Sequence, residues 1–243
     1  MSLVESGYDG TMATIIPPSQ IFPPVEQADE DGLLALGGEL DPEWLLDAYC
    51  HGIFPWPFGD DSNPMAWWSP DPRGILELDG LHISRRLRRT LRQGRFEVTC
   101  DRAFGEVMTA CAVGPGRLGG TWITPRMIHA YTQLHLHGFA HSVEVWLAGQ
   151  LVGGTYGVSI RGLFAAESKF FRERDASKVA LAHLVGHLKR RGYTLLDLQM
   201  VTPHTEGLGA IEIARDAYFE RLAVALEQEV TFGDCLLVQA DDF

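Results

Sequence analysis

Two carboxylates and one amide occupy the part of this chain best suited to chemistry. Glu167 lies in LFAAESKFF, and Asp197 and Gln199 lie in LLDLQM, segments that otherwise read as buried sheet. An ionised carboxylate removed from water is costly unless it is partnered, so structure alone explains these two poorly. Strand alternation puts Asp197 and Gln199 on one face, two residues apart. Residues 151–199 are therefore the expected reaction centre.

The elements that must position these groups follow from pattern. From Ala140 three strand-like runs are separated by turns at Ala148-Gly149-Gln150 and Arg161-Gly162, an antiparallel meander. A helix over 176–191 carries Leu181, Leu184, Val185 and Leu188 on one stripe, with Asp175 as the expected N-cap and Gly192 just past the end. A strand over 194–200 follows. The order β-β-β-α-β, with glycines in the strands, is similar to the core of the acetyltransferase superfamily. The expected fold class is α+β, with an acetyltransferase-like (GNAT-like) C-terminal domain and a smaller mixed α/β N-terminal domain. A fold analogy of this kind does not give the chemistry.

The rest of the chain divides by composition. Residues 1–20 are expected as a flexible tail, 21–80 as the N-terminal domain and 81–243 as the catalytic domain, with a composition shift near 76–81 between the two. Asp41 followed by Pro42 starts a helix with Trp44, Leu45, Ala48 and Tyr49 on its apolar stripe, and Gly52 ends it. Trp56, Trp67 and Trp68 crowd a proline-rich stretch. As core, these rings pin an irregular segment; as a stacking platform, at least one holds a base, a contact worth roughly 1–3 kcal/mol. Helices are expected at 101–113 and at 124–138, the second capped by Thr124 and closed by Gly138. Between them GPGRLGGTW carries no nucleotide fingerprint. A last helix starts near Arg215, and TFGDCLLVQ adds a final strand.

The net charge of −12 argues against nucleic acid only until its distribution is considered. Residues 84–95, SRRLRRTLRQGR, contain Arg85, Arg86, Arg88, Arg89, Arg92 and Arg95 and no acid. Leu87 and Leu91 make this a helix with one apolar face. Either its charges are simply solvated, or they meet phosphate, the natural partner for six mutually repelling cations. Four dispersed cysteines and nine histidines show no metal-ligand spacing, so neither a metal nor a cofactor is expected. No apolar run approaches a membrane span and no secretory signal is visible, which predicts a cytoplasmic protein with no membrane partner.

Several motifs occur together in order: LLALGGELDPEWLLDAYCHGIFPW, WWSPDPR, GTWIT, AYTQLHLHGFAHSVEVW, LVGGTYGV, ASKVALAHL and LLDLQMVTPHTEGLGA. Over roughly residues 20–220 the chain resembles the leucyl/phenylalanyl-tRNA–protein transferases, which move an aminoacyl group from charged tRNA to a protein N-terminus. The resemblance implies Leu or Phe as donor group, with Met less readily used, and acceptors beginning with Arg or Lys that are thereby marked for degradation. It implies no ATP, because the tRNA ester is already activated, and a monomer is expected. By position Glu167, Asp197 and Gln199 match the family's catalytic residues, while Trp68 and Trp122 match residues around the acyl and terminal-adenosine sites. Thr155, Phe164, Leu181, Leu184, Leu188 and Leu196 are the further candidates for the substrate pocket, and the leucines read equally well as core. Arg85, Arg86, Arg88, Arg89 and Arg92 are the candidates for tRNA binding.

Aminolysis of an ester needs a neutral, oriented α-amine that can lose a proton after attack. The Gln199 carbonyl can accept a hydrogen bond from that amine. Asp197 can polarise the Gln199 amide or take up charge, and Glu167 can bind the ribose hydroxyls or the adenosine. Alternatively, Asp197 and Gln199 only position groups while the ribose hydroxyl shuttles the proton. Two positions depart from the family: Lys169 stands where ESMF is common, and Thr155 where GGMYG is common. Both border the acyl pocket there, so this pocket is expected to be less lipophilic or differently shaped, unless Lys169 turns out towards tRNA. Two rival readings remain. An acetyl-CoA-dependent acetyltransferase lacks its glycine-rich loop in FFRERDASK, and a non-catalytic RNA-binding module leaves Glu167, Asp197 and Gln199 without a role.

Overall fold

A computed structural model describes residues 16–113, 121–238 and 242–243. Residues 1–15 of the expected tail and 114–120 of the glycine-rich loop lie outside the described residues. Residues 16–20 are tied down: His51 Nε2 lies 2.8 Å from the Pro17 carbonyl and Ser19 donates to Asp47.

Two sheets organise the fold. The smaller has the order β1 (Leu33–Leu36), β3 (Ala66–Trp68), β2 (Phe54–Pro55). The larger has seven strands in the order β10 (Ile211–Ile213), β4 (Arg73–Ile75), β9 (Leu195–Gln199), β8 (Leu163–Phe171), β7 (Gln150–Ile160), β6 (Ala140–Leu147), β5 (Glu97–Cys100). Strands β6, β7 and β8 form the expected antiparallel meander, and Ala148, Gly149 and Arg161 take the left-handed backbone that tight hairpin turns require. After β8, helix α5 (Ala176–Arg191) crosses over to β9, which pairs parallel to β8. The β-β-β-α-β order is thus present. Strand β4, although it precedes residue 80, belongs to the larger sheet.

The two faces of that sheet bury different helices. Helices α1 (Pro42–Cys50), α3 (Phe104–Ala112), α4 (Pro125–Leu136) and α7 (Arg215–Glu227) share one core with the small sheet. Helices α2 (Arg85–Arg92) and α5 share the other. Close packing of α5 explains one glycine in the central strand: a Cβ on Gly153 would lie 2.6 Å from the Ala176 Cβ. Caps at Asp41, accepting from Trp44 N at 3.0 Å, and at Thr124, accepting from Met127 N at 3.2 Å, fall where the sequence puts them. Ser84 caps α2 and the short helix α6 (Pro203–Glu206) has its own capping box at Thr202.

Two expectations are corrected. Asp175 precedes α5 but does not cap it: the residue is left-handed (φ 68°) and its carboxylate instead takes Arg86 Nη2 at 2.6 Å. Residues 231–238 form no strand. Two of their backbone groups meet a side chain instead, with His187 Nε2 2.9 Å from the Phe232 carbonyl and the Leu237 N–H donating to His187 Nδ1 at 3.1 Å.

Candidate active site

The candidate reaction centre is built where two strands part. Parallel pairing of β8 and β9 runs through Leu163–Leu195, Phe164–Leu196 and Ala165–Asp197 and then stops, although both strands continue. On its other edge β8 loses register against β7: Gly157 faces Ala166 and Tyr156 faces Ser168, leaving Glu167 as the extra residue of a β-bulge. A cavity of about 370 Å³ opens at the divergence, and the consecutive residues Ala166, Glu167, Ser168 and Lys169 all line it. Simple alternation would have turned two of the four away.

Glu167 sits half-buried in this wall. The Tyr49 hydroxyl donates to Oε1 at 2.7 Å and the Tyr131 hydroxyl to Oε2 at 3.1 Å. Burial pushes the carboxyl up to about 7, against the two phenol hydrogen bonds that hold it down. The phenols themselves are driven well above their ordinary range, chiefly by burial, so both remain neutral donors. The Gln199 amide ends 3.5 Å from Glu167 Oε1. Its better-satisfied orientation has the nitrogen donating to the Leu198 carbonyl (2.8 Å) and the Ala166 carbonyl (3.0 Å), which puts the amide oxygen on the Glu167 side. Gln199 ends β9 with φ 63°, and Gly74 lies opposite it. A Cβ on Gly74 would stand 2.6 Å from the Met200 carbonyl carbon, so only glycine lets the chain turn here.

Asp197 does a different job. It is fully buried, and its carboxylate takes Arg73 Nε (3.0 Å) and Nη2 (2.6 Å), the Tyr218 hydroxyl (3.0 Å) and the Gln199 backbone N–H (2.8 Å). Burial pushes the Arg73 guanidinium down, and the Asp197 charge, the neighbouring Tyr218 and the hydrogen bonds to Asp197 together more than offset it, keeping the arginine charged. Every lone-pair direction of the Asp197 carboxylate is used, and it holds the backbone of Gln199 and not its amide group.

Above this floor two indole rings face each other. Trp56 and Trp122 have centroids 5.4 Å apart at 30°, and both line the cavity. The models of two families match the chain: "Leucyl/phenylalanyl-tRNA protein transferase" over residues 75–223 and "Leucyl/phenylalanyl-tRNA protein transferase N-terminal domain" over residues 38–71. The chain belongs to this family. A leucyl/phenylalanyl-tRNA--protein transferase of Aromatoleum aromaticum is 56% identical over 83% of this chain and 85% of that one. One from Maridesulfovibrio salexigens is 50% identical over 88% and 89%, and one from Pseudomonas paraeruginosa is 52% identical over 83% and 89%. Among solved structures, a ribosomal-protein-alanine N-acetyltransferase from Brucella melitensis biovar Abortus 2308 is 15% identical with a TM-score of 0.34, over 46% of this chain and 84% of that one. L-PGS from Bacillus licheniformis is 13% identical with a TM-score of 0.39, over 69% and 55%. Likenesses this low carry no argument.

In this leucyl/phenylalanyl-tRNA protein transferase family member the candidate pocket residues separate into two groups. Thr155, Leu181 and Trp122 line the reaction cavity, with Ser177 of α5 beside them. The Thr155 hydroxyl is engaged by the Ser168 carbonyl at 2.9 Å. Phe164, Leu184, Leu188 and Leu196 do not line it; all four lie in the α5-side core. Trp68 lines a neighbouring cavity, Trp67 is wholly buried, and Trp56 is the ring paired with Trp122. Lys169 lines the reaction cavity, and burial lowers its pKa. His204, at the same cavity, is lowered by burial and then by Lys169 and Lys178.

The arginine helix presents Leu87 and Leu91 to the core and its cations to solvent. Arg86 is bound to Asp175, and Arg92 donates to the Phe243 carbonyl. Among the described residues Arg85, Arg88 and Arg89 make no ion pair, and with Arg92 they line one shallow concavity. Trp56 is one of the three rings expected as a stacking platform, whereas Tyr49, Tyr131, Arg73 and Tyr218 carry no functional signal in the sequence. Each of these four occupies a segment that reads as core, and only their convergence on Glu167 and Asp197 distinguishes them.

Proposed function

We propose that the chain transfers a leucyl or phenylalanyl group, and less readily a methionyl group, from aminoacyl-tRNA to the α-amine of a protein beginning with Arg or Lys, marking it for degradation in the cytoplasm. The observation that carries this reading is the cavity itself. It holds a carboxyl raised to about 7 and an amide oxygen at one end, with paired indoles beside them. The Trp56–Trp122 wall suits the terminal adenosine, since a base stacks on such rings. The uncommitted cations of α2 suit the tRNA phosphates.

The amine nitrogen attacks the ester carbonyl carbon; the C–N bond forms and the bond to the ribose oxygen breaks. Glu167 accepts the proton the amine sheds and returns one to the departing ribose oxygen, a role that a pKa near 7 fits. The Gln199 oxygen orients the attacking N–H. Asp197 positions Gln199. Every one of these groups comes from one chain, which fits action as a monomer. Residues 21–80 supply Trp56, Tyr49 and strand β4, and residues 81–243 supply Trp122 and the other strands of the larger sheet.

The test is direct. Incubated with Leu-tRNA and a peptide beginning with Arg, the protein should raise the peptide mass by one leucyl residue. A peptide of unchanged mass would overturn the reading.

A further inference from the structure

The reaction cavity holds more positive charge than the transfer chemistry uses. Lys169 lines it from β8, on the same rung as Thr155 of β7, and His204 lines it from α6. Burial, then Lys169 and then Lys178 of α5 push the His204 ring down, so the three basic groups are neighbours. Among the described residues neither ammonium group makes an ion pair or a hydrogen bond, and the His204 ring makes no hydrogen bond. Glu167 is the one carboxyl among the described residues that line the cavity, and its two oxygens are taken by Tyr49 and Tyr131.

The same cavity reaches the start of α5. Ser177, the second residue of that helix, lines the cavity and is only 5% exposed, and among the described residues its hydroxyl has no partner. The Ser177 backbone N–H meets no acceptor among them either, because left-handed Asp175 offers no side-chain cap. The Asp175 carboxylate is drawn off by Arg86. A buried hydroxyl, a free first-turn N–H and two lysines without acids therefore converge on one space.

Free N–H groups at a helix start favour an anion, and ammonium groups attract it as point charges. A hydroxyl left unpaired in a buried place is completed by a ligand oxygen. Two lysines exceed the single charge of an RNA phosphodiester and match a terminal phosphoryl dianion instead. We propose that Ser177, Lys169, Lys178 and His204 bind the terminal phosphoryl group of a free phosphate monoester or diphosphate, seated at the start of α5 inside the reaction cavity. Such a ligand fills space that, on the transfer reading above, the aminoacyl ester needs. It is therefore a competitive inhibitor of transfer, and the cavity couples transfer to the supply of small phosphorylated molecules.

The His204 ring reports on the site, and its nuclear magnetic resonance signal is identified by its loss in His204→Gln. Pyrophosphate titrated at constant ionic strength, without tRNA, should move that signal saturably and raise the ring's pKa, since a nearby dianion favours the imidazolium. Lys169→Met should weaken the apparent Kd about tenfold or more, and Ser177→Ala about three- to tenfold. No saturable shift, or a Kd unchanged in both variants, overturns the proposal. A tighter response to the dinucleotide CpA, with its single phosphodiester charge, overturns it too, because the site would then read RNA. In the transfer assay pyrophosphate should raise the KM for Leu-tRNA and leave kcat unchanged, and Lys169→Met should relieve the inhibition. Inhibition undiminished in Lys169→Met overturns the competitive role. If no leucine is transferred at all, the transfer reading fails, and the His204 titration alone decides whether the site binds phosphoryl groups.

Discussion

Glu167 carries the sharpest prediction at the scale of single residues. Its carboxyl is raised to about 7, so it is protonated and unable to accept a proton below that pH, and available above it. The acceptor α-amine, with an ordinary value of about 7.7–8.0, must also be neutral. Log kcat/KM for transfer should therefore fall with a slope approaching about two as pH drops below 7, because two groups must each have lost a proton. Glu167→Gln should reduce that slope to about one and lower the rate at pH 8 by about 10²–10⁴-fold. A slope that stays at two would place the proton elsewhere. Tyr49→Phe removes a hydrogen bond that holds the carboxyl down, so the limb should move to higher pH. The candidate residues were legible because carboxylates in apolar strands are conspicuous, but that signal is not specific. Glu144 of β6 is fully buried, held by Thr99 and Ser142 hydroxyls at 2.5 Å each, and lines none of the cavities described above. What separates Glu167 from Glu144 is the bulge and the adjoining gap, which depend on partners far along the chain.

Among the elements, α2 shows how structure refines a charge run. Six cations in sequence suggest six phosphate contacts, yet Arg86 already has Asp175 and Arg92 already donates to Phe243. The free contribution should come mainly from Arg85, Arg88 and Arg89. Replacing these three by Ala should lower the magnitude of the salt slope of tRNA binding by about 2–3, since each duplex phosphate neutralised contributes about 0.9. Arg86→Ala alone should change it much less. Filter binding across a series of salt concentrations measures both, and an unaltered slope in the triple variant would leave α2 a solvated face. The meander, α5 and the capped helices were legible because turn residues, caps and periodicity are local signals. The parting of β8 from β9 was not, nor was the irregular course of residues 231–238. Both are decided by which backbone groups find partners across the fold, His187 in the second case.

At the scale of the whole molecule, the segment before Arg73 and the sheet after it share one core and the site's most buried charges. Phe22, Leu45, Tyr49 and Trp67 pack in the same cluster as Tyr156, Leu163 and Tyr218. Tyr49 reaches across to Glu167, and Arg73 binds both Asp197 and the Gly52 carbonyl (2.8 Å). Two parts joined this way should unfold as one. Tryptophan fluorescence, weighted towards the rings at Trp44, Trp56, Trp67 and Trp68, and far-UV circular dichroism, weighted towards the sheet and its helices, should give coincident urea transitions. Asp197→Asn leaves the Arg73 charge buried without compensation. It should cost about 3–5 kcal/mol and shift both transitions together. If the fluorescence transition separated from the dichroism transition, or if Asp197→Asn moved only one of them, the two parts would be independent folding units. Trp56 would then be free to move relative to Trp122 and the carboxylate floor. A single transition is what the site requires, because Trp56 and Glu167 come from opposite sides of Arg73 and must hold one substrate between them.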